Sequence, residues 1–266
     1  MKQFSRGQDF FCDNHGLIDK EHNPFEWIIL AIDTSSGITS IAVARGTTLI
    51  KSITSPVNQT RSEKLWLEIE SLLAQAGMTI RDVDLFSVCT GPGGFTGLRV
   101  GIAAAKGFAS ATNKPIVGIT SLEAAAFSVR PATAVCALVN AYKGEVYSQL
   151  FSFDGEGVPV SENAPLVSTF EAALDRVVAR DELLFAGDAA DAQADAIRAR
   201  SEKWSVQRRG HCLAEDIAAL ACLKSARGES DAAETLKACY VRPAEAEIKL
   251  SLGLLGSKIK RSLKPR

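Results

Sequence analysis

The chain has 266 residues, 46% of them apolar, with 30 Lys and Arg against 31 Asp and Glu. That length carries one large domain or two smaller ones with cores of their own, and a net charge of −1 excludes a bulk electrostatic grip on nucleic acid. No run reaches the length of a membrane-spanning helix. Six scattered cysteines (Cys12, Cys89, Cys136, Cys212, Cys222 and Cys239) argue against a disulfide scaffold or zinc module and for buried thiols in a reducing cytoplasm.

Residues 1–27 read as an N-terminal extension without sustained period, in which Cys12, His15 and His22 are scattered ligand-type residues rather than a metal site. Residues 28–32 read as a short apolar strand, Asp33 to Gly37 as a turn, and 38–44 and 48–54 as two more strands of a meander. Over 62–76, Leu65, Ile69, Leu72, Leu73 and Ala76 form one helical stripe, and Gly77 sits where a left-handed cap belongs. A strand at 83–89 leads through a glycine-rich turn into a helix at 98–111. A strand at 116–119 and a short helix at 122–127 follow. Ser121 is the expected cap, and Glu123 stands too early for a capping box. Arg130-Pro131 reads as a boundary. Beyond it come strands at 134–139 and 145–153 joined by Tyr142-Lys143-Gly144, a turn at 155–159, a helix at 170–178, a strand at 183–186, and helices at 189–200 and 213–226. The element order of the first half is thus partly repeated in the second, without a residue-level repeat.

Two segments carry candidate chemistry. Asp33, followed by Thr34, Ser35 and Ser36, ends the first strand; such a group can orient magnesium or phosphate, or form an Asx-turn in which Asp33 accepts backbone N–H groups. The segment 91–101 lacks the Gly-Lys-Ser/Thr ending of a Walker A loop and does not follow the first strand as a dinucleotide fingerprint would. Its glycines, Gly93 and Gly94 among them, fit either a phosphate cradle or close packing. The helix behind it repeats Gly97, Gly101, Ala105 and Ala109 every fourth residue, next to Leu98, Ile102 and Phe108. One stripe faces the sheet and the other a partner, or both are intramolecular. The expected docking residues are Glu63, Leu65, Ile69 and Leu72 on the first helix, and Gly97, Leu98, Gly101, Ile102, Ala105 and Ala109 on the second.

No Ser–His–Asp set is visible. His211, beside Arg208 and Arg209, reads as a surface or capping residue, and Glu145 and Tyr147 share a strand face without a nucleophile. At the C-terminus, Lys249, Lys258, Lys260, Arg261, Lys264 and Arg266 accompany Ile248, Leu250, Leu252, Leu254 and Leu255. This is a solubilising tail, or a weak amphipathic element for RNA, lipid or a partner.

Ile32-Asp33-Thr34-Ser35, Arg61-Ser62-Glu63-Lys64-Leu65, Gly91-Pro92-Gly93-Gly94-Phe95-Thr96-Gly97-Leu98-Arg99-Val100-Gly101, Ala105-Lys106-Gly107, Ser121-Leu122-Glu123 and Gly144-Glu145-Val146-Tyr147 resemble, in order and spacing, the bacterial TsaB family. The resemblance covers 28–151 well and continues weakly to Tyr240-Val241-Arg242-Pro243. It implies an α/β, two-lobed actin-like ATPase (ribonuclease H-like) fold of mixed sheets flanked by helices. The first lobe is then 28–130 and the second 131–247, between the extension and a basic tail at 248–266. It implies a non-catalytic accessory subunit of the TsaD-type transferase that forms N6-threonylcarbamoyladenosine at position 37 of tRNAs reading A-starting codons. The implied partners are the TsaD-type subunit, a TsaE-type ATPase, a second copy of the chain in isolation, and tRNA through the complex. It implies no catalytic residue, metal ligand or tightly held cofactor on this chain. ATP or ADP with magnesium is placed at the partner interface, with Asp33, Thr34, Gly93 and Gly94 as candidate contacts. An actin-like small-molecule kinase or weak ATPase is the alternative, and a peptidase or chaperone-like role is a third reading. The chain departs from the family at Arg61 (often His), at Gly94 (often Ser) and at Asn140-Ala141-Tyr142-Lys143 (commonly Asp-Ala-Arg).

Overall fold

The computed structural model describes residues 23–56, 61–207 and 212–242, with the backbone alone at 61–63. Most of the extension, the segment holding Arg208, Arg209 and His211, the basic tail and the Glu63 side chain lie outside the described residues.

Two sheets carry the fold. The first contains β1 (Ile28–Asp33), β2 (Ile38–Arg45), β3 (Thr48–Pro56), β4 (Leu85–Gly91) and β5 (Ile116–Thr120), in the order β3-β2-β1-β4-β5. The second contains β6 (Val135–Asn140), β7 (Glu145–Phe153), β8 (Pro159–Ser161), β9 (Leu166–Thr169), β10 (Leu183–Ala186) and β11 (Trp204–Val206), in the order β11-β10-β6-β7-β8, with β9 also on β7. In each sheet the first strands pair antiparallel as a meander, and the last two add in parallel on the other side. The repeat expected from element order is therefore a repeat of topology.

Strand β1 is buried along its whole length because both faces are covered. Ile28, Leu30 and Ile32 meet α1 (Arg61–Gln75) and α2 (Phe95–Thr112), while Ile29 and Ala31 point to the opposite core. Helix α3 (Ser121–Phe127) follows the first sheet in sequence but packs Leu122, Ala125 and Ala126 against β6 and β7 of the second. The outer face of that second sheet is covered by α4 (Phe170–Val177), α5 (Asp188–Ala192) and α6 (Ala194–Arg200). Helix α7 (Leu213–Ala226) follows the second sheet but packs Ile217, Ala218, Ala221 and Cys222 on β1 and β2 of the first. The two helices exchange lobes and form the layer between the sheets. The expected second-lobe range, 131–247, thus contains a helix and a closing strap (229–242) that belong to the first sheet by contact.

Several boundaries differ from expectation. Helix α2 begins at Phe95, because the glycine turn is short enough for the helix to start within it. Strand β4 runs later than expected, to Gly91. Thr120, not Ser121, caps α3: its hydroxyl accepts from the Glu123 N–H, and the Glu123 carboxylate accepts from the Thr120 N–H at 2.9 Å, which completes the capping box held to be out of register. The helix expected at 189–200 is interrupted at Gln193, whose φ of −113° is not helical. Residues 24–26 form a 3-10 turn, and Trp27 is buried under α7, so the end of the expected extension is part of the first lobe.

Candidate functional site

Two concavities are candidates: a cleft between the lobes and a groove on the outer helices of the first lobe. The cleft, about 260 Å³, is lined by Asp33 and by Ser35, Ser36, Gly37 and Ile38 of the turn after it, by Ser121, Ala125 and Ser128 of the α3 region, and by Val139, Gly187, Asp188 and Asp191 of the second lobe. Asp33 is only 1% exposed, and its Oδ1 accepts the Ser35 N–H at 2.8 Å, the Asx-turn arrangement. Burial pushes the Asp33 carboxyl up, Ser35 pulls it partly back, and Asp188 adds a further upward push. The Cys89 thiol beside it is raised well above its ordinary value by burial and then by Asp33, which disfavours the thiolate.

The glycine-rich turn closes onto this loop rather than standing open. The Gly94 N–H donates to Ser35 O at 2.6 Å, and the Thr34 hydroxyl donates to Gly97 O at 2.7 Å. A Cβ added at Gly93 would overlap Ser35 O, and one added at Gly101 would overlap Thr34 Oγ1. Glycine is required at Gly93 because two backbone segments of the same chain touch, and at Gly101 because the buried Thr34 side chain fills the space. Thr34 and Gly93 are therefore packing contacts. Of the four expected phosphate contacts, Asp33 alone lines the cleft. The described lining of the cleft includes three carboxylates, Asp33, Asp188 and Asp191, while the Ser121 hydroxyl donates to Pro92 O and the Ser128 hydroxyl to Ala125 O.

The stripe of small residues resolves in the same direction. Gly97, Gly101, Ala105 and Ala109 are buried, as are Leu98 and Ile102, and they face the chain's own first core. Leu65, Ile69 and Leu72 of α1 lie in that core too. These expected docking residues pack within the chain's own core, since a helix stripe that seats on a sheet is consumed by it, and of them only Leu65 also reaches an outward groove.

What α1 and α2 present outward is, apart from Leu65, a different set. A groove of about 510 Å³ runs between them, walled by Leu65, Trp66, Phe95, Arg99, Val100 and Ala103, with Thr96 and Ala104 also contributing. Trp66 is 53% exposed and Leu67 beside it 66%. The Trp66 ring stands 4.6 Å from Phe108, which gives the wall a fixed backing. The available signal was that Trp66 and Leu67 are large apolar residues off the buried stripe of α1, where a solvent face calls for polar ones.

The sequence matches the family described as TsaD: tRNA N6-adenosine threonylcarbamoyltransferase over residues 55–219. It is 29% identical over 221 residues to the tRNA threonylcarbamoyladenosine biosynthesis protein TsaB of Escherichia coli (strain K12), covering 80% of this chain and 94% of that protein. Identity to TsaB of Bacillus subtilis (strain 168) is 31% over 147 residues, 54% of this chain and 64% of the relative. The fold superposes on a crystal structure of an uncharacterized Pseudomonas aeruginosa protein with similarity to peptidase YeaZ, with a TM-score of 0.67 at 26% identity, over 81% of this chain and 100% of that one. YeaZ from Pseudomonas aeruginosa aligns with a TM-score of 0.62 at 25% identity, over 80% and 99% of the two chains. With its duplicated sheet order and exchanged helices, the chain has the two-lobed actin-like fold and belongs to the TsaD family, in its TsaB/YeaZ branch.

Proposed function

We propose that this chain is the non-catalytic accessory subunit that docks on a TsaD-type transferase in the formation of N6-threonylcarbamoyladenosine on tRNA. The observation that carries the reading is the α1–α2 groove with the exposed Trp66 in its wall, and Leu67 is exposed on the same helix. An apolar groove with an aromatic anchor is what a helix-packed interface requires. At the cleft the glycine-rich turn is fastened to the loop after Asp33, so Thr34 and Gly93 serve packing within this chain. Formation of a second copy's interface through the same groove, in the partner's absence, belongs to the same proposal. So do recruitment of a TsaE-type ATPase, contact with tRNA through the assembled complex, and a cytoplasmic site of action. Among the described residues no helix is long and apolar enough to cross a membrane.

The test is to mix the chain with the purified TsaD-type subunit and measure mass by light scattering. A heteromeric complex is expected for the wild type. Leu67→Lys and Ala103→Glu, both at exposed positions beside or within the groove, are expected to weaken it by at least about tenfold without loss of fold. Full binding by both variants would refute this docking face. ATP turnover with magnesium by the isolated chain would instead favour the kinase or ATPase reading, which rests on the interlobe cleft.

A further inference from the structure

We infer that the strap 229–242 shapes the docking groove through Tyr240 and ties that shape to the second lobe through Arg242. The inference rests on the docking reading above and adds positioning residues that lie outside both helices.

After α7 the chain returns across the first lobe and is fastened along its way. The Asp231 N–H donates to Ile116 O at 2.8 Å, and its Oδ2 accepts the Gly118 N–H at 2.8 Å. Lys106 Nζ, from α2, donates to Glu234 O at 3.3 Å and to Leu236 O at 3.2 Å. The Leu236 side chain enters the first core, seated over Gly118, where any Cβ would meet it. The Cys239 N–H donates to Thr90 O at 2.7 Å, at the end of β4. The strap therefore covers the open edge of the sheet and arrives at the start of α2 with its main chain fixed.

There it touches the groove itself. The Tyr240 ring lies 5.2 Å from the Phe95 ring, and Arg99 Nε donates to the Tyr240 hydroxyl at 3.2 Å. The Arg99 guanidinium in turn sits over Phe95, 3.8 Å from its centroid. Phe95 and Arg99 are both walls of the groove, and they stand one above the other in the first two turns of α2, whose cap Gly94 offers no side chain. Exposed side chains of this kind sample several rotamers unless something holds them, and docking would then have to order them. Tyr240 holds both in advance. Two residues further on, Arg242 pairs with Glu145 at the first position of β7. The groove wall and the second lobe are thereby joined through three consecutive strap residues, Tyr240 to Arg242.

Calorimetric titration with the TsaD-type subunit tests this, together with amide exchange of the free chain. Tyr240→Ala is expected to weaken binding by about tenfold, and Tyr240→Phe, which keeps the ring and loses the bond to Arg99, by less. Arg242→Glu is expected to weaken binding, and adding Glu145→Arg to restore most of it. In the free chain, Tyr240→Ala is expected to speed exchange at residues 98–100. Binding within about twofold of wild type for Tyr240→Ala, or a charge reversal that restores nothing, would overturn the inference. A wild-type chain that does not bind the subunit refutes the docking reading instead, and unchanged exchange in Tyr240→Ala would then separately refute the pinning of the groove wall.

Discussion

Gly101 and Gly107 share helix α2 but not their surroundings. A Cβ at Gly101 would overlap the Thr34 hydroxyl, while one at Gly107 meets open space. Gly101→Ala is therefore expected to destabilise by about 1–3 kcal/mol in denaturant titration. Gly107→Ala is expected to stabilise by about 1 kcal/mol, because alanine only improves the helix there. The repeat of small residues was legible in the sequence; which side it faced was not, since spacing alone does not say whether a sheet or another chain lies opposite. Two carboxylates set opposite pH dependences. Arg227 beside Asp154 lowers its carboxyl from 3.8 to about 2, so its contribution to stability is complete above pH 3.8 and lost as pH falls towards 2. Asp33 is raised from 3.8 by burial, so the folded state holds its proton more tightly and stability falls as pH rises through its raised value. Thermal melts against pH are expected to show Asp33→Asn gaining on the wild type as pH rises from 4, and Asp154→Asn losing its disadvantage as pH falls below 4. Conserved relative stabilities across that range would contradict both assignments.

At the scale of elements, the long periodic segments and the short apolar strand β10 were readable, and three other short strands were not. Helix α7 runs over the residues its apolar and alanine pattern marks, and α1 keeps its stripe. Strands β8, β9 and β11, of three or four residues, have too few side chains to display a period and exist because β7 and β10 offer them an edge. Helix α3 was placed correctly, but its cap was placed one residue late. The reciprocal Thr120–Glu123 bonds make Thr120→Ala costly by about 1 kcal/mol, and Glu123 additionally pairs with Lys224 of α7 at 2.8 Å. Denaturant titration of Thr120→Ala checks the first. A loss no greater than that of an exposed serine elsewhere would show that the box does not hold the helix.

For the whole molecule, the decisive feature is that α3 and α7 each cross to the other sheet, so the two lobes are built from interleaved rather than consecutive stretches. Nothing local encodes this: both helices carry apolar residues on more than one face, as Ala124 and Phe127 of α3 towards one core and Leu122 and Ala126 towards the other demonstrate. The interleaving fixes the cleft and leaves α1 and α2 alone on the outer face, where Trp66 and Leu67 remain exposed. On the docking proposal, this outer face and not the cleft meets the TsaD-type subunit. Hydrogen exchange with and without that subunit distinguishes the two surfaces. Slowed exchange is expected across α1, α2 and the strap end at 239–242. Protection confined to the cleft segments at 33–38 and 187–191, with α1 and α2 unchanged, would contradict it.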